Sequence, residues 1–285
     1  MENKIDLSVI IPMHNSEKYI QETIASILSQ KEHGLNYEII IVDDLSTDNS
    51  REVVKNLQHE RIKLIELKKN CGSANARNIG MKSAQGNWIQ FMDSDDKISL
   101  DLYKKFAEAN KTNIDCFVFS VIIENYKNKI KRTITEVNDK RTFGYFYVVW
   151  NKFIKRELCI PFKVEFSFED TCFVIEMMNN REWNIALIED TFYIYNQKNA
   201  DSKMANFNIK EYEKMYSYIY SQIDACDELT KMFILETFVG IAFSRGMPLL
   251  MRSRIAFRTI LKLYKYIPDV YRNGIRNRIK NTVIQ

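Results

Sequence analysis

The chain has 285 residues, 46% of them hydrophobic, and a formal net charge of +4. That is enough apolar material for one large domain or a domain with an appendage, and too little net charge to make nucleic acid the main partner. Cys71, Cys116, Cys159, Cys172 and Cys226 are scattered with no Cys-x-x-Cys pair, which fits a reducing compartment with cysteines as small hydrophobes. No run approaches the roughly 18–20 apolar residues of a membrane span. Lys4 and Asp6 flank an opening run that ends at Pro12, which is not the pattern of a signal peptide, so a cytoplasmic protein is expected.

Leu7-Ser8-Val9-Ile10-Ile11-Pro12 is β-branched, apolar and bounded by proline, and predicts a buried first strand. Met13 to Ser16 form the turn, and Ile20, Ile24, Ile27 and Leu28 follow helical spacing after it. Tyr37 to Val42 predict a second strand that runs into Asp43-Asp44, and cap-type residues from Ser46 to Ser50 introduce a helix through Val53, Val54 and Leu57. Ile62 to Leu67 predict a third strand. Asn70 to Gly80 begin as a glycine loop and become a small-residue helix reaching about Ala84, and Trp88-Ile89-Gln90-Phe91-Met92 predict a fourth strand. Strands alternate with helices, so the fold class is α/β with a largely parallel, doubly wound sheet.

The fourth strand ends abruptly in Asp93-Ser94-Asp95-Asp96, three carboxylates within four residues. In an open α/β sheet the carboxyl ends of the strands form the ligand crevice. Four such ends are polar here: His14 and Asn15, Asp43 and Asp44, Asn70 to Arg77, and Asp93 to Asp96. Clustered carboxylates stay ionised together only with a positive partner, and a hard divalent cation such as Mg²⁺ or Mn²⁺ suits oxygen ligands. The plainer alternative is an acidic turn with Asp96 as a helix cap.

Pro12-x-His14-Asn15, Val42-Asp43-Asp44-x-Ser46-Thr47-Asp48, Asn70-x-Gly72-x-Ala74-x-Ala76-Arg77-Asn78-x-Gly80 and Asp93-Ser94-Asp95-Asp96 together resemble the family 2 glycosyltransferases of GT-A fold, almost without gaps over residues 5–100. The resemblance implies a transferase that uses a nucleotide-activated sugar, with a GT-A Rossmann-like sheet. Its nucleotide-sugar half lies at 1–100, its acceptor half at 101–205, and a basic helical extension at 206–285. Pro12 and His14 offer a surface for a nucleobase, Asn15 lies beside them, and Asp44, the second acid of its pair as in the family, accepts from a uracil or guanine N–H. The alternative for Asp43 and Asp44 is capping of the next helix. Arg77 offers a fixed fork for phosphate or for the carboxylates, the alternative being a surface ion pair. Asp93-Ser94-Asp95 matches the family's DxD motif, in which Asp95, and less directly Asp93, hold a divalent cation, Mn²⁺ or Mg²⁺.

In the second half, Leu102 to Ala109 predict a helix, Ile114 to Ile123 a central strand, and residues 127–139 a polar hairpin or loop. Trp150-Asn151-Lys152 resembles the family's "WNK" segment. Trp150 is a candidate platform for a sugar face, or a core tryptophan, and Asn151 and Lys152 are candidate sugar or phosphate contacts. Glu169-Asp170 matches the family's "ED" motif, whose Asp is the catalytic base, and that role carries over to Asp170, with Glu169 beside the acceptor. The alternative is two acids complementing a helix dipole. Asn184 to Leu187 and Phe192 to Tyr195 predict a last strand pair, and Tyr195 and Ser202 loosely match a family pattern near the diphosphate. The histidine many relatives use as an extra metal ligand is absent, and so is the Gln-x-x-Arg-Trp signature of processive members, which favours transfer of a single sugar.

From about Ile209 the chain is expected to be helical. From Met251 to Gln285 nine basic residues face one acid, Asp269, so this stretch carries +8. Arg254, Arg258, Lys262 and Lys265 share one helical face and Phe257, Ile260, Leu261 and Tyr264 another, which predicts docking of residues 252–280 on an anionic membrane surface. A helical pair packed on the catalytic domain and an oligomer interface remain open. The expected partners are a UDP-sugar and an oligosaccharide or lipid-linked glycan acceptor of capsular or lipopolysaccharide type, at the inner face of the cell membrane. The rival readings are an inactive nucleotide-sugar-binding scaffold, disfavoured by three retained acids (Asp93, Asp95, Asp170), and a nucleotidyltransferase, which would carry an early glycine-rich loop with basic residues.

Overall fold

The computed structural model describes residues 4–31, 34–110, 113–126, 128–137, 142–144, 148–166, 168–197, 199 and 209–234. The basic stretch 252–280 and Ser202 lie outside them. The chain divides into two compact units, Met1–Tyr212 and Glu213–Gln285.

In the first unit, β1 (Leu7–Met13), α1 (Ile20–Leu28), β2 (Tyr37–Asp43), α2 (Ser50–Asn56), β3 (Ile62–Glu66), α3 (Gly72–Ser83) and β4 (Trp88–Phe91) follow one another. β1, β2 and β4 bury both faces, as the interior of the parallel order β3-β2-β1-β4 requires, whereas β3 at its edge is only half-buried and exposes Lys63 and Glu66. Pro12 is tolerated inside β1 because β4 pairs only as far as Ile10↔Phe91, so no ladder N–H is needed beside it on that side. α3 lies close on the sheet: a Cβ at Gly80 would sit 2.4 Å from Ile10 Cγ2, and Ala74 and Ala76 are buried. These small residues are what bring Arg77 down to the sheet edge.

β5 (Lys97–Ile98), α4 (Leu102–Ala109), β6 (Cys116–Glu124), β7 (Lys129–Arg132), β8 (Lys152–Lys155), α5 (Glu169–Asn180) and β9 (Ile185–Asn196) complete the unit, and α6 (Ile209–Gln222) begins at its end. The sheet continues β4-β8-β6-β9-β5, with β7 on β6. It is mixed where a largely parallel sheet was expected. β8 is antiparallel to both β4 and β6, and the β6–β7 and β5–β9 pairs are antiparallel. Antiparallel neighbours need no crossover helix, so β6, β7 and β8 follow one another with no α-helix among the described residues between them. The expected last strand pair is one long strand, β9. Its register against β6 jumps from Ile188 to Phe192, where Asp190 takes φ +53°, so a turn-like Glu189-Asp190 is a bulge and not a hairpin.

The core beneath this half is aromatic. Phe106 stacks on Phe153 at 4.2 Å, and Trp88 meets Phe106 edge-on at 5.5 Å. In the second unit the described residues are the remainder of α6, a 3-10 turn at Ile223–Ala225 and helical residues 228–234, whose start is capped by Asp227 accepting from the Thr230 N–H. Among the described residues no helix is long and apolar enough to cross a membrane.

Candidate active site

The carboxyl ends of β1, β2 and β4 meet at one edge, as their parallel pairing dictates. His14 Nδ1 donates to the Asp44 carbonyl at 2.9 Å, and Asn15, at φ +50°, accepts the Thr47 N–H through Oδ1 at 2.8 Å. Asn tolerates this left-handed conformation better than most residues. Asp44 is buried, and its two oxygens accept the Cys71 and Gly72 N–H groups, each at 2.7 Å. It therefore caps α3, whose first residue Gly72 sits at φ +83°. Each of its oxygens keeps a second lone pair for a further donor. Asp43 does the same for its own turn, accepting from the Ser46 N–H.

Arg77 is the centre of the site. It is 4% exposed and gives one Nη2 hydrogen bond to Asp93 at 2.7 Å, and two from Nη1, to Glu169 and to Asp170, each at 2.9 Å. Burial alone would pull Arg77 down, but the charges of Asp170, Asp93 and Glu169 outweigh it and hold the guanidinium above its ordinary value. The fork thus serves the carboxylates, the second of its two expected roles. It joins Asp93, after β4, to the two acids that open α5. Those two acids differ in access: Glu169 is 6% exposed and also accepts from the Ser73 hydroxyl, whereas Asp170 is 21% exposed. Asp170 is therefore the acid that can meet an incoming hydroxyl. A cleft of about 150 Å³ opens nearby, lined in part by Gly72, Ser73, Val164, Glu165 and Phe166.

The turn after β4 is held from several sides. Ser94 shares a 2.6 Å hydrogen bond with Ser16, and its carbonyl accepts from the Thr23 hydroxyl. Asp95 accepts from the Asn199 amide at 2.7 Å; burial pushes its carboxyl up to about 6, the Asn199 bond opposes that, and the charge of Asp93 adds to it. Asp96 is fully buried and raised well above the usual range, first by burial and then by Asp93 and Asp95. Its Oδ1 accepts the Asn196 N–H, and Oδ2 has no hydrogen-bond partner among the described residues. Asp93 is paired with Arg77, whereas Asp95 and Asp96 have no cationic side chain bonded to them among the described residues, and such hard oxygen donors fit Mg²⁺ or Mn²⁺. Among the described residues no three His, Cys, Asp or Glu side chains are grouped to hold a metal by themselves.

Three further residues named by the sequence are enclosed by protein. Trp150, Asn151 and Lys152 are buried. Trp150 stacks on Tyr193 at 4.2 Å, Asn151 donates to the Phe119 carbonyl, and Lys152 Nζ donates to the Val148 carbonyl and to Asn151 Oδ1. Burial brings the Lys152 ammonium down to about 8. Sequence reasoning missed Tyr193, Asn196 and Asn199. The register of β9 puts Tyr193 and Asn196 at the acidic turn and Asn199 follows the strand's end, and the period-2 pair Tyr193 and Tyr195 was the one available signal.

The family described as Glycosyl transferase family 2 matches residues 8–182. The putative teichuronic acid biosynthesis glycosyltransferase TuaG of Bacillus subtilis is 41% identical over 104 residues, 36% of this chain and 40% of that protein. The poly(ribitol-phosphate) beta-N-acetylglucosaminyltransferase TarS of Staphylococcus aureus is 27% identical over 253 residues, 83% of this chain and 44% of TarS. The match thus spans less than half the length of either relative. The structure of TarS 1-349 in complex with UDP-GlcNAc superimposes with a TM-score of 0.74 at 23% identity, covering 93% of this chain and 82% of that one. A mannosyltransferase from Pyrobaculum calidifontis, solved with GDP-Man and Mn²⁺, gives a TM-score of 0.52 at 15% identity, over 92% of this chain and 71% of its own. The mixed sheet with flanking helices is the GT-A fold. With the family matched from Ser8 to Glu182, the chain belongs to glycosyl transferase family 2.

Proposed function

We propose that the protein transfers a single sugar from a UDP-sugar to a hydroxyl of a surface-glycan acceptor, with inversion at the anomeric carbon and Asp170 as general base. The observation that carries this reading is the Arg77 junction, which holds Asp93 at the end of β4 and the partly exposed Asp170 on one guanidinium. UDP as the nucleotide is supported by TarS, solved with UDP-GlcNAc. A glycan acceptor is supported by the names of TuaG and TarS.

Each group then has a task. Pro12, His14, Asn15 and Asp44 receive the nucleobase. Asp170 accepts the proton of the acceptor hydroxyl as that oxygen attacks, on the face opposite the departing nucleotide. Arg77 aims Asp170 through its Nη1 hydrogen bond. Asp95 and Asp93 would hold a divalent cation together with the donor diphosphate and water, and such a cation neutralises charge on the leaving diphosphate. Glu169 is too enclosed to meet the acceptor directly and steadies Arg77 and Ser73.

Asp95→Ala is expected to abolish the increase in UDP affinity that Mn²⁺ gives, a change of about tenfold or more, while binding in chelator stays the same. Calorimetry reads this directly, and an undiminished Mn²⁺ effect would move the metal elsewhere. Residues 252–280 would dock the enzyme on anionic membrane from the cytoplasmic side. Deleting them should remove binding to vesicles containing anionic lipid, binding that in the full chain weakens as salt rises. Equal vesicle binding by the truncated protein would refute the docking.

A further inference from the structure

The described residues place β9 and its continuation directly beneath the acidic turn. Residues 193, 196 and 199 each hold one of its acids. The Tyr193 hydroxyl accepts the Asp93 N–H at 3.0 Å, the Asn196 N–H goes to Asp96, and the Asn199 amide goes to Asp95. Tyr193 is fully buried and its phenol also faces the Asp96 carboxyl. One side of its ring is covered by Trp150, with centroids 4.2 Å apart and planes 16° from parallel, and Trp150 also stacks at 5.6 Å with Tyr195. Trp150 is 6% exposed, which leaves little of its ring for a sugar.

We propose that Tyr193 is a positioning residue for the Asp93–Asp95 turn and that Trp150 serves the site by fixing Tyr193, not by stacking on a sugar. The inference rests on the reading above that this turn holds a cation with the donor diphosphate. The backbone of Asp93 leaves β4 at the point where the strand ladder ends, so its N–H has no strand partner and takes a side-chain oxygen instead. That oxygen sits on a phenol whose two ring torsions are locked by stacking. The turn is thereby fixed before any ligand arrives, and groups that orient metal-binding carboxylates typically change metal affinity about 10- to 100-fold when removed.

Tyr193→Phe keeps the ring and its stack and removes only the hydroxyl. In calorimetry of UDP binding across a Mn²⁺ series, this variant is expected to need about tenfold more Mn²⁺ for half its effect, with UDP affinity in chelator within about twofold of the parent. A merely structural tyrosine would leave the Mn²⁺ midpoint in place, and an unmoved midpoint overturns the proposal. Trp150→Phe provides the second arm. Under the proposal it raises the Mn²⁺ midpoint equally for UDP and for a UDP-sugar. Selective loss of UDP-sugar affinity, with UDP and its Mn²⁺ midpoint unchanged, would restore Trp150 as a sugar platform and overturn the proposal. If parent UDP binding ignores Mn²⁺ altogether, the metal reading itself fails, and this inference with it.

Discussion

Replacing Asp170 by Asn is expected to lower the rate of sugar transfer by about 10²–10⁴-fold, the usual contribution of a general base, while donor affinity stays within about twofold. The change is nearly isosteric. The Asn oxygen can still accept from Arg77 Nη1, and Arg77 keeps Asp93 and Glu169 as partners, so no buried charge is stranded. What disappears is the capacity to take a proton from the acceptor hydroxyl. Transfer kinetics beside calorimetry on the same preparation separate the two quantities. Glu169→Gln provides the contrast: Glu169 is more enclosed and is bound by Ser73 and Arg77, so its loss should act mainly on stability. Undiminished transfer by Asp170→Asn would move the base elsewhere.

Arg77→Met is expected to destabilise the fold by about 3–5 kcal/mol, because it leaves three carboxylates around a buried position with no countercharge. For a protein of this size that corresponds to a fall in Tm on the order of 10 °C. Arg77→Lys separates charge from geometry. A lysine restores one positive charge but cannot present a planar fork to three acceptors. It should recover much of the stability yet leave transfer at least about tenfold slow, because Asp93 and Asp170 are no longer held on the same group. Thermal melts and transfer kinetics of the two variants check this, and full activity in Arg77→Lys would show that charge alone suffices.

The first ninety residues were the most legible. Each strand there is a β-branched run closed by a polar residue, and β1, β2 and β3 match their expected extents to within about one residue. α4 spans Leu102–Ala109 as its apolar spacing indicates, and α6 begins at Ile209 as expected. β9 was read as two strands because Glu189-Asp190 looks like a turn in sequence, whereas in the fold it is a bulge that parallel pairing with β6 accommodates. The partners of Arg77 were not legible either. An arginine near a glycine loop has the same appearance whether it awaits a phosphate or is buried among acids, and Gly80 and the alanines decide the matter only once α3 is seated on β1. Trp150-Asn151-Lys152 carried a motif but no sign of its burial. The burial comes from β8 entering the sheet between β4 and β6, a pairing far apart in the chain.

The central claim is a crevice built for a nucleotide diphosphate and a divalent cation. Calorimetric titration of the full chain with UDP, GDP and CDP, each with Mn²⁺ and with chelator, tests it most directly. UDP is expected to bind most tightly, and chelator to weaken it by about tenfold or more. If none of the three binds, the site is not a working donor site, and the protein is a catalytically silent member of its family that serves as a scaffold.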